Sequence, residues 1–187
     1  PFISIPQGSL LTVAFITFFA SLGEGAVADW SAIFLISVLS IGEGSAALGY
    51  TFFSICMFAM RLMGDRISFK FGPSKTARYS GLVALIGSII LLTFESLLPL
   101  LIGFSLIGLG IAVIIPLAFS RAGNDKNMSQ GTAIASIATL GYGGMLIGPL
   151  FVGFIAEITS IKTSFFILPI LALLIFLLSK SLSVKSH

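Results

Sequence analysis

Apolar residues run along this chain in long, nearly unbroken blocks, and polar residues gather at the joints between them. A helix needs about 20 mostly apolar residues to cross a hydrocarbon layer. Six blocks reach that length, at 9–30, 45–63, 77–94, 97–119, 131–156 and 163–179. The pattern predicts an all-α membrane protein with six transmembrane helices in one domain over 1–187. The run 31–41, "SAIFLISVLSI", is too short to cross again. It reads as an outward extension of the first helix or as an interfacial segment.

Composition sharpens this. Apolar residues make up 57% of the chain, charged residues 9%, and mean hydropathy is +1.13. A soluble domain carries about a quarter of its residues charged, so this chain belongs in a lipid bilayer. The lone Cys56 cannot form an intrachain disulfide. Where the charges fall then predicts direction. Arg61, Arg66, Lys70, Lys75 and Arg78 cluster around the joint of the second and third blocks, from the end of one to the start of the other; Arg121 and Lys126 lie between the fourth and fifth. Lys180 and Lys185 follow the sixth, and only Lys162 stands on the other side. Nine of ten cations on one face make that face cytoplasmic by the positive-inside rule. The expectation is a multi-pass protein with both termini cytoplasmic and with Glu43, Glu95 and Glu157 near the outer hairpins. The basic balance therefore reports topology, and no nucleic-acid partner is expected. Asn127-Met128-Ser129 matches a glycosylation pattern, but its cytoplasmic placement removes its meaning.

Two acids break the first block. "GEGAVADW" (23–30) holds Glu24 and Asp29. At about 1.5 Å per residue from Ser9, Glu24 lies roughly 22 Å into a layer about 30 Å thick. Asp29 and Trp30 then reach the outer interface, where a tryptophan serves as a belt anchor. An ionised acid at mid-bilayer costs at least about 2.5–3.5 kcal/mol on insertion scales. With the cations read as lying at the block ends and joints and none expected within a span to pair with it, Glu24 must face a wet cavity, stay protonated, or meet a partner outside this sequence. Gly23 and Gly25 would permit local unwinding around it. Glu24 and Asp29 are thus candidates for a substrate or proton pathway.

The loop "MRLMGDRISFKFGPSK" (60–75) carries the densest charge. Arg61 and Asp65 are four apart and share a helix face, Gly64 lets the backbone turn, and "FGPSK" breaks and restarts the chain. In the fifth block, "GYGGMLIGPLFVG" (141–153) sets Gly144, Gly148 and Gly153 near one another with Pro149 inside the helix. Small residues at that spacing let helix backbones approach closely in lipid. Blocks one, two, four and five carry the glycines and the few polar groups and are expected to form an inner face. Blocks three and six are apolar all round and are expected at the periphery.

These stretches resemble the major facilitator superfamily of twelve-helix secondary transporters. "RLMGDRISFKFG" is similar to its loop signature: Asp65, Arg66 and Gly72 match, while Arg61 stands at the position of the first glycine. "GYGGMLIGPLFVG" is similar to the glycine-proline helix at its two-domain packing surface. The fourth block, "IGFSLIGLGIAVIIPLAFSRAG", falls where the superfamily lines its central pathway. The resemblance covers the whole chain as the second, C-terminal half of the twelve-helix fold, with the N-terminal half absent. It implies a bacterial inner-membrane transporter that moves a small solute by alternating access, coupled to a proton. Arg61, Gly64, Asp65, Arg66 and Gly72 would then form a conformational-switch loop, and Gly144, Gly148, Pro149 and Gly153 a packing helix. The alternative is a truncated, non-transporting membrane scaffold or remnant. The only histidine is His187, so neither a histidine triad nor a histidine metal site fits inside the blocks. No phosphate-binding glycine loop is present. No metal, no cofactor and no enzymatic activity are expected.

Overall fold

In the computed structural model, which describes residue 6 and residues 8–183, the six blocks are six crossing helical units. Span one is α1 (Ser9–Leu39). Span two is a short α2 (Glu43–Ala46) followed by α3 (Leu48–Phe71), and span three is α4 (Pro73–Thr93). Span four is α5 (Leu97–Ile111) with α6 (Ile114–Gly123), and span five is α7 (Gln130–Ile158). Span six joins α8 (Ile161–Ser164), α9 (Ile167–Leu178) and a closing 3₁₀ turn (Ser179–Leu182). Lys185 and His187 lie outside the described residues.

The breaks follow local chemistry. Pro116 and Pro169 each sit three residues into the second segment of a span, after the helix has loosened at 112–113 and 165–166. A proline supplies no N–H to the carbonyl four residues earlier, so the preceding turn opens. Ser129 and Ser160 begin α7 and α8 as N-caps, their hydroxyls accepting from the N–H groups of Thr132 and Thr163.

The run 31–39 continues α1, as one of the two readings of it expected, so the helix has 31 residues and runs past Trp30. One expectation about the backbone is corrected. The second block ends not at 63 but at Phe71: "MRLMGDRISFKF" is helix throughout. Its polar residues suit a helix leaving the bilayer as well as a loop. The turn that Gly64 was expected to make falls on Gly72, whose φ of 83° lies in the region glycine tolerates. Pro73 then opens α4 at its first turn.

Spans one and four form the centre, with 67% and 61% of their apolar windows buried; spans two and five are the most open, at 22% and 28%. Toward the C-terminal end of α1, Phe34 of span one stacks on Phe165 of span six at 4.4 Å and meets Phe104 of span four edge-on at 6.0 Å. Span four lies so close to span three that a Cβ on Gly110 would stand 2.5 Å from the Ala84 nitrogen. Spans three and six pack on each other through Gly81 and Phe176. The widest apolar exposure therefore falls on span two (Phe58, Leu62) and span five (Leu146, Leu150, Phe154) rather than on spans three and six.

Candidate functional site

Glu24 is the midpoint of α1, fifteen residues from Ser9 and fifteen from Leu39. At about 1.5 Å per residue that is roughly 22 Å from each end. The extension to Leu39 thus moves Glu24 from the outer third of the span to its centre. Asp29, placed by the sequence at the outer interface, is followed by ten more helical residues and is exposed on the side of the span.

The structure corrects the expectation that no cation inside the spans meets Glu24. Arg61, counted as a loop residue, lies within α3, thirteen residues from Leu48 and ten from Phe71. Its Nη2 donates to both carboxylate oxygens of Glu24, at 3.3 Å to Oε1 and 3.2 Å to Oε2. Its Nε donates to the Ala112 carbonyl at 3.4 Å. That carbonyl is the one Pro116 leaves without a helical N–H, so the loosened turn of span four becomes an acceptor for a mid-span arginine. Spans one, two and four meet at this point. The Glu24 side chain is 19% exposed and that of Arg61 42%, and Nη1 has no hydrogen-bond partner among the described residues. A guanidinium has five donors in a planar fork and stays charged at any physiological pH. One edge of the fork is held by the protein and the other is open.

Gly23 and Gly25 do not unwind the helix; α1 is continuous through both. They let neighbours approach. Gly23 faces Leu168 and Leu171 of span six, and a Cβ on Gly25 would stand 2.5 Å from the Met145 carbonyl. That carbonyl is again one released by a proline four residues on, Pro149. The glycines of span five answer from the other side: Gly144 lies against the Phe18 carbonyl, Gly148 against the Leu22 carbonyl, and Gly153 against the Trp30 ring. The glycine-proline helix thus packs within this chain, on span one, and these glycines do not face a second domain. Trp30, expected as a belt anchor, donates its Nε1–H to the Pro149 carbonyl at 3.0 Å.

The remaining loop residues are scattered. Gly64 is buried against Val113. Asp65 and Arg66 are exposed, and among the described residues neither enters an ion pair, since Arg61 turns to Glu24 rather than to Asp65. A second polar cluster escaped the sequence reading. Arg121 Nη1 pairs with Asp125 Oδ2 at 3.2 Å, and its Nη2 donates to the Ser9 hydroxyl at 3.0 Å, tying the start of span one to the end of span four. The four-residue spacing of Arg121 and Asp125 was the available signal. On the opposite side Lys162 Nζ reaches Glu95 Oε1 at 2.6 Å, joining two hairpins. The donated hydrogen bond and charge of Lys162 hold the Glu95 carboxyl below its ordinary range. Among the described residues no group of His, Cys, Asp and Glu could hold a metal.

No family model matches the chain. It is 40% identical over 175 residues to an uncharacterized transporter of Sinorhizobium fredii, covering 94% of this chain and 46% of the relative. It is 38% identical over 165 residues to an uncharacterized MFS-type transporter of Yersinia pestis, covering 88% of this chain and 43% of that one. Membrane protein MosC of Rhizobium meliloti is 34% identical over 148 residues, with 79% and 36% covered. The chain spans less than half the length of these curated relatives. Among solved structures, the fucose:proton symporter of E. coli superposes with a TM-score of 0.80 at 21% identity, over 96% of this chain and 44% of that one. A POT peptide transporter superposes at 0.78 and 19% identity, over 95% and 39%.

Proposed function

The chain belongs to the major facilitator superfamily and has the fold of a six-helix half, and from that premise we propose that it is the C-terminal half of a proton-coupled transporter for a small solute. The observation that carries the reading is the Glu24–Arg61 pair, mid-span, open on one side and held between spans one, two and four. Charges at that depth are found facing a bundle interior or a water-filled cavity rather than lipid. Such a pair therefore marks the side of this half that faces a solute path. The length of the relatives and the open faces of spans two and five support a second six-helix unit as the partner. The exposed Asp65 and Arg66 lie on the same span and would meet that unit at the cytoplasmic end.

The chemistry follows from charge balance. With Glu24 ionised the pair is neutral and Arg61 is anchored. When Glu24 takes a proton, the permanently charged guanidinium loses its counter-ion, and its open Nη1 edge then turns to acceptor oxygens of the solute. Release of the solute and of the proton restores the pair. The two six-helix halves would rock about this midplane site in alternating access. The fucose:proton symporter among the neighbours supports proton coupling in this fold.

The test uses the full-length transporter in proteoliposomes, with a solute found by uptake screening. Glu24→Gln keeps shape and hydrogen bonding and removes the titration. It should lose pH-gradient-driven uptake while retaining solute exchange across the membrane. Unchanged gradient-driven uptake in that variant removes Glu24 from the mechanism. No accumulation of any solute by the unaltered protein would favour the non-transporting scaffold.

A further inference from the structure

Between spans two and three, on the side where α3 hands over to α4, lies an apolar groove of about 350 Å³. Met60, Ile67 and Phe71 of α3 form one wall, Tyr79 and Val83 of α4 the other, and Leu109 of span four the floor. At 100° per residue these α3 positions lie roughly 80–120° round the helix from Arg61, so the groove opens on a different flank from the ion pair. Three hydroxyl residues line it, Thr76, Tyr79 and Ser80, and the hydroxyl of Thr76 donates to the Gly72 carbonyl at 2.8 Å. The rest of the lining is apolar and suits an apolar occupant.

Its mouth has a different character. Lys70 Nζ sits 5.3 Å from the ring centre of Phe71, one of the wall residues. Lys75 lies one turn before Tyr79 on the same face of α4, and both lysines are exposed. Between them α4 begins at Pro73 with no side-chain cap, which leaves the N–H groups of Ser74 and Lys75 without a helical acceptor. Two cations and an uncapped helix N-terminus thus flank the lining residues Phe71 and Thr76. Phosphate is what such N–H groups and lysines recognise together, and an acyl chain is what the slot accepts.

We propose that this groove is a binding site for an anionic phospholipid of the leaflet on the Lys70 side. Its headgroup phosphate sits between Lys70, Lys75 and the α4 N-terminus, and one acyl chain lies along Met60, Ile67 and Val83. The site would couple lipid charge to the hinge at Gly72, the point where spans two and three turn.

Native mass spectrometry of the purified full-length protein, given equal amounts of phosphatidylglycerol and phosphatidylcholine with matched chains, tests this. The expected result is preferential retention of phosphatidylglycerol by roughly thirtyfold, the scale two membrane-surface lysines provide. Lys70→Gln with Lys75→Gln should erase the preference without lowering phosphatidylcholine retention, and Lys180→Gln should leave it intact. Val83→Phe, which fills the slot, should lower retention of both lipids. Equal retention of the two lipids by the unaltered protein, or a preference that survives loss of both lysines, overturns the proposal. So does density for a segment of the protein itself in the groove.

Discussion

The two sides of span one are built on opposite principles. Toward span five it is sealed by backbone: the Phe18 and Leu22 carbonyls lie where the Cβ atoms of Gly144 and Gly148 would be, and Gly25 returns the contact to Met145. Toward span two it is held by an ion pair with a half-open guanidinium. In each region a proline releases a carbonyl. Pro149 frees that of Met145, which a glycine covers; Pro116 frees that of Ala112, which Arg61 claims. The same backbone defect is buried in one place and wired to a titratable group in the other. Close-packed contacts resist small displacements, whereas an ion pair loses its attraction when one partner takes a proton. Under the proposed function the difference would separate a rigid seam from a switchable one.

Substitutions should therefore split by side. On the open side, Arg61→Gln is expected to have the largest effect, abolishing gradient-driven uptake while leaving the protein folded in detergent, as read by uptake and size-exclusion profiles. An unfolded or unexpressed variant would place Arg61 on the structural side instead. On the sealed side, Gly148→Ala drives a methyl into the Leu22 carbonyl and should destabilise by about 1–3 kcal/mol. Gly143→Ala in the same helix meets nothing within 4 Å, so it should be neutral or stabilising by up to about 1 kcal/mol. Equal thermal shifts for the two glycines would dissolve the seam. Trp30→Phe loses both the bond to the Pro149 carbonyl and the outer indole atoms that meet Gly153, the hydrogen bond alone being about 0.5–1.5 kcal/mol.

The smallest effect lies outside both seams. Lys162 holds the exposed Glu95 carboxyl below its ordinary range. The contribution of that pair is therefore fully present above the ordinary carboxylate range and is lost as pH falls through the lowered value. The stability difference between the unaltered protein and Glu95→Gln should shrink toward zero in acid, measured by thermal unfolding across pH. A constant difference would show the contact to be indifferent to charge.

Six spans were legible because each apolar run is long enough to cross a bilayer, whatever it packs against. The end of span two was not, since "MRLMGDRISFKF" carries charges that fit a loop as well as a helix leaving the membrane. That ambiguity displaced Arg61 and left Glu24 without its partner. The pair joins residues 37 positions apart, and no local spacing encodes such a contact. One signal lay in plain view: a proline inside span four implies a free carbonyl at Ala112 and hence a donor in search of it. Gly144, Gly148 and Gly153 were legible as a close-packing stripe, but a stripe does not name its neighbour. The contacts with Phe18, Leu22 and Trp30 assign it to span one.

The central claim is that Glu24 and Arg61 act as one unit across spans one and two. A double-mutant cycle tests it most directly, with Glu24→Gln, Arg61→Gln and the pair of changes together, each read as unfolding free energy of the purified full-length protein. Residues in one ion-pair network couple by about 0.5–3 kcal/mol. The prediction is that each single variant leaves a lone mid-span group and loses more than half of what the double variant loses. Effects that add within about 0.3–0.5 kcal/mol would contradict it.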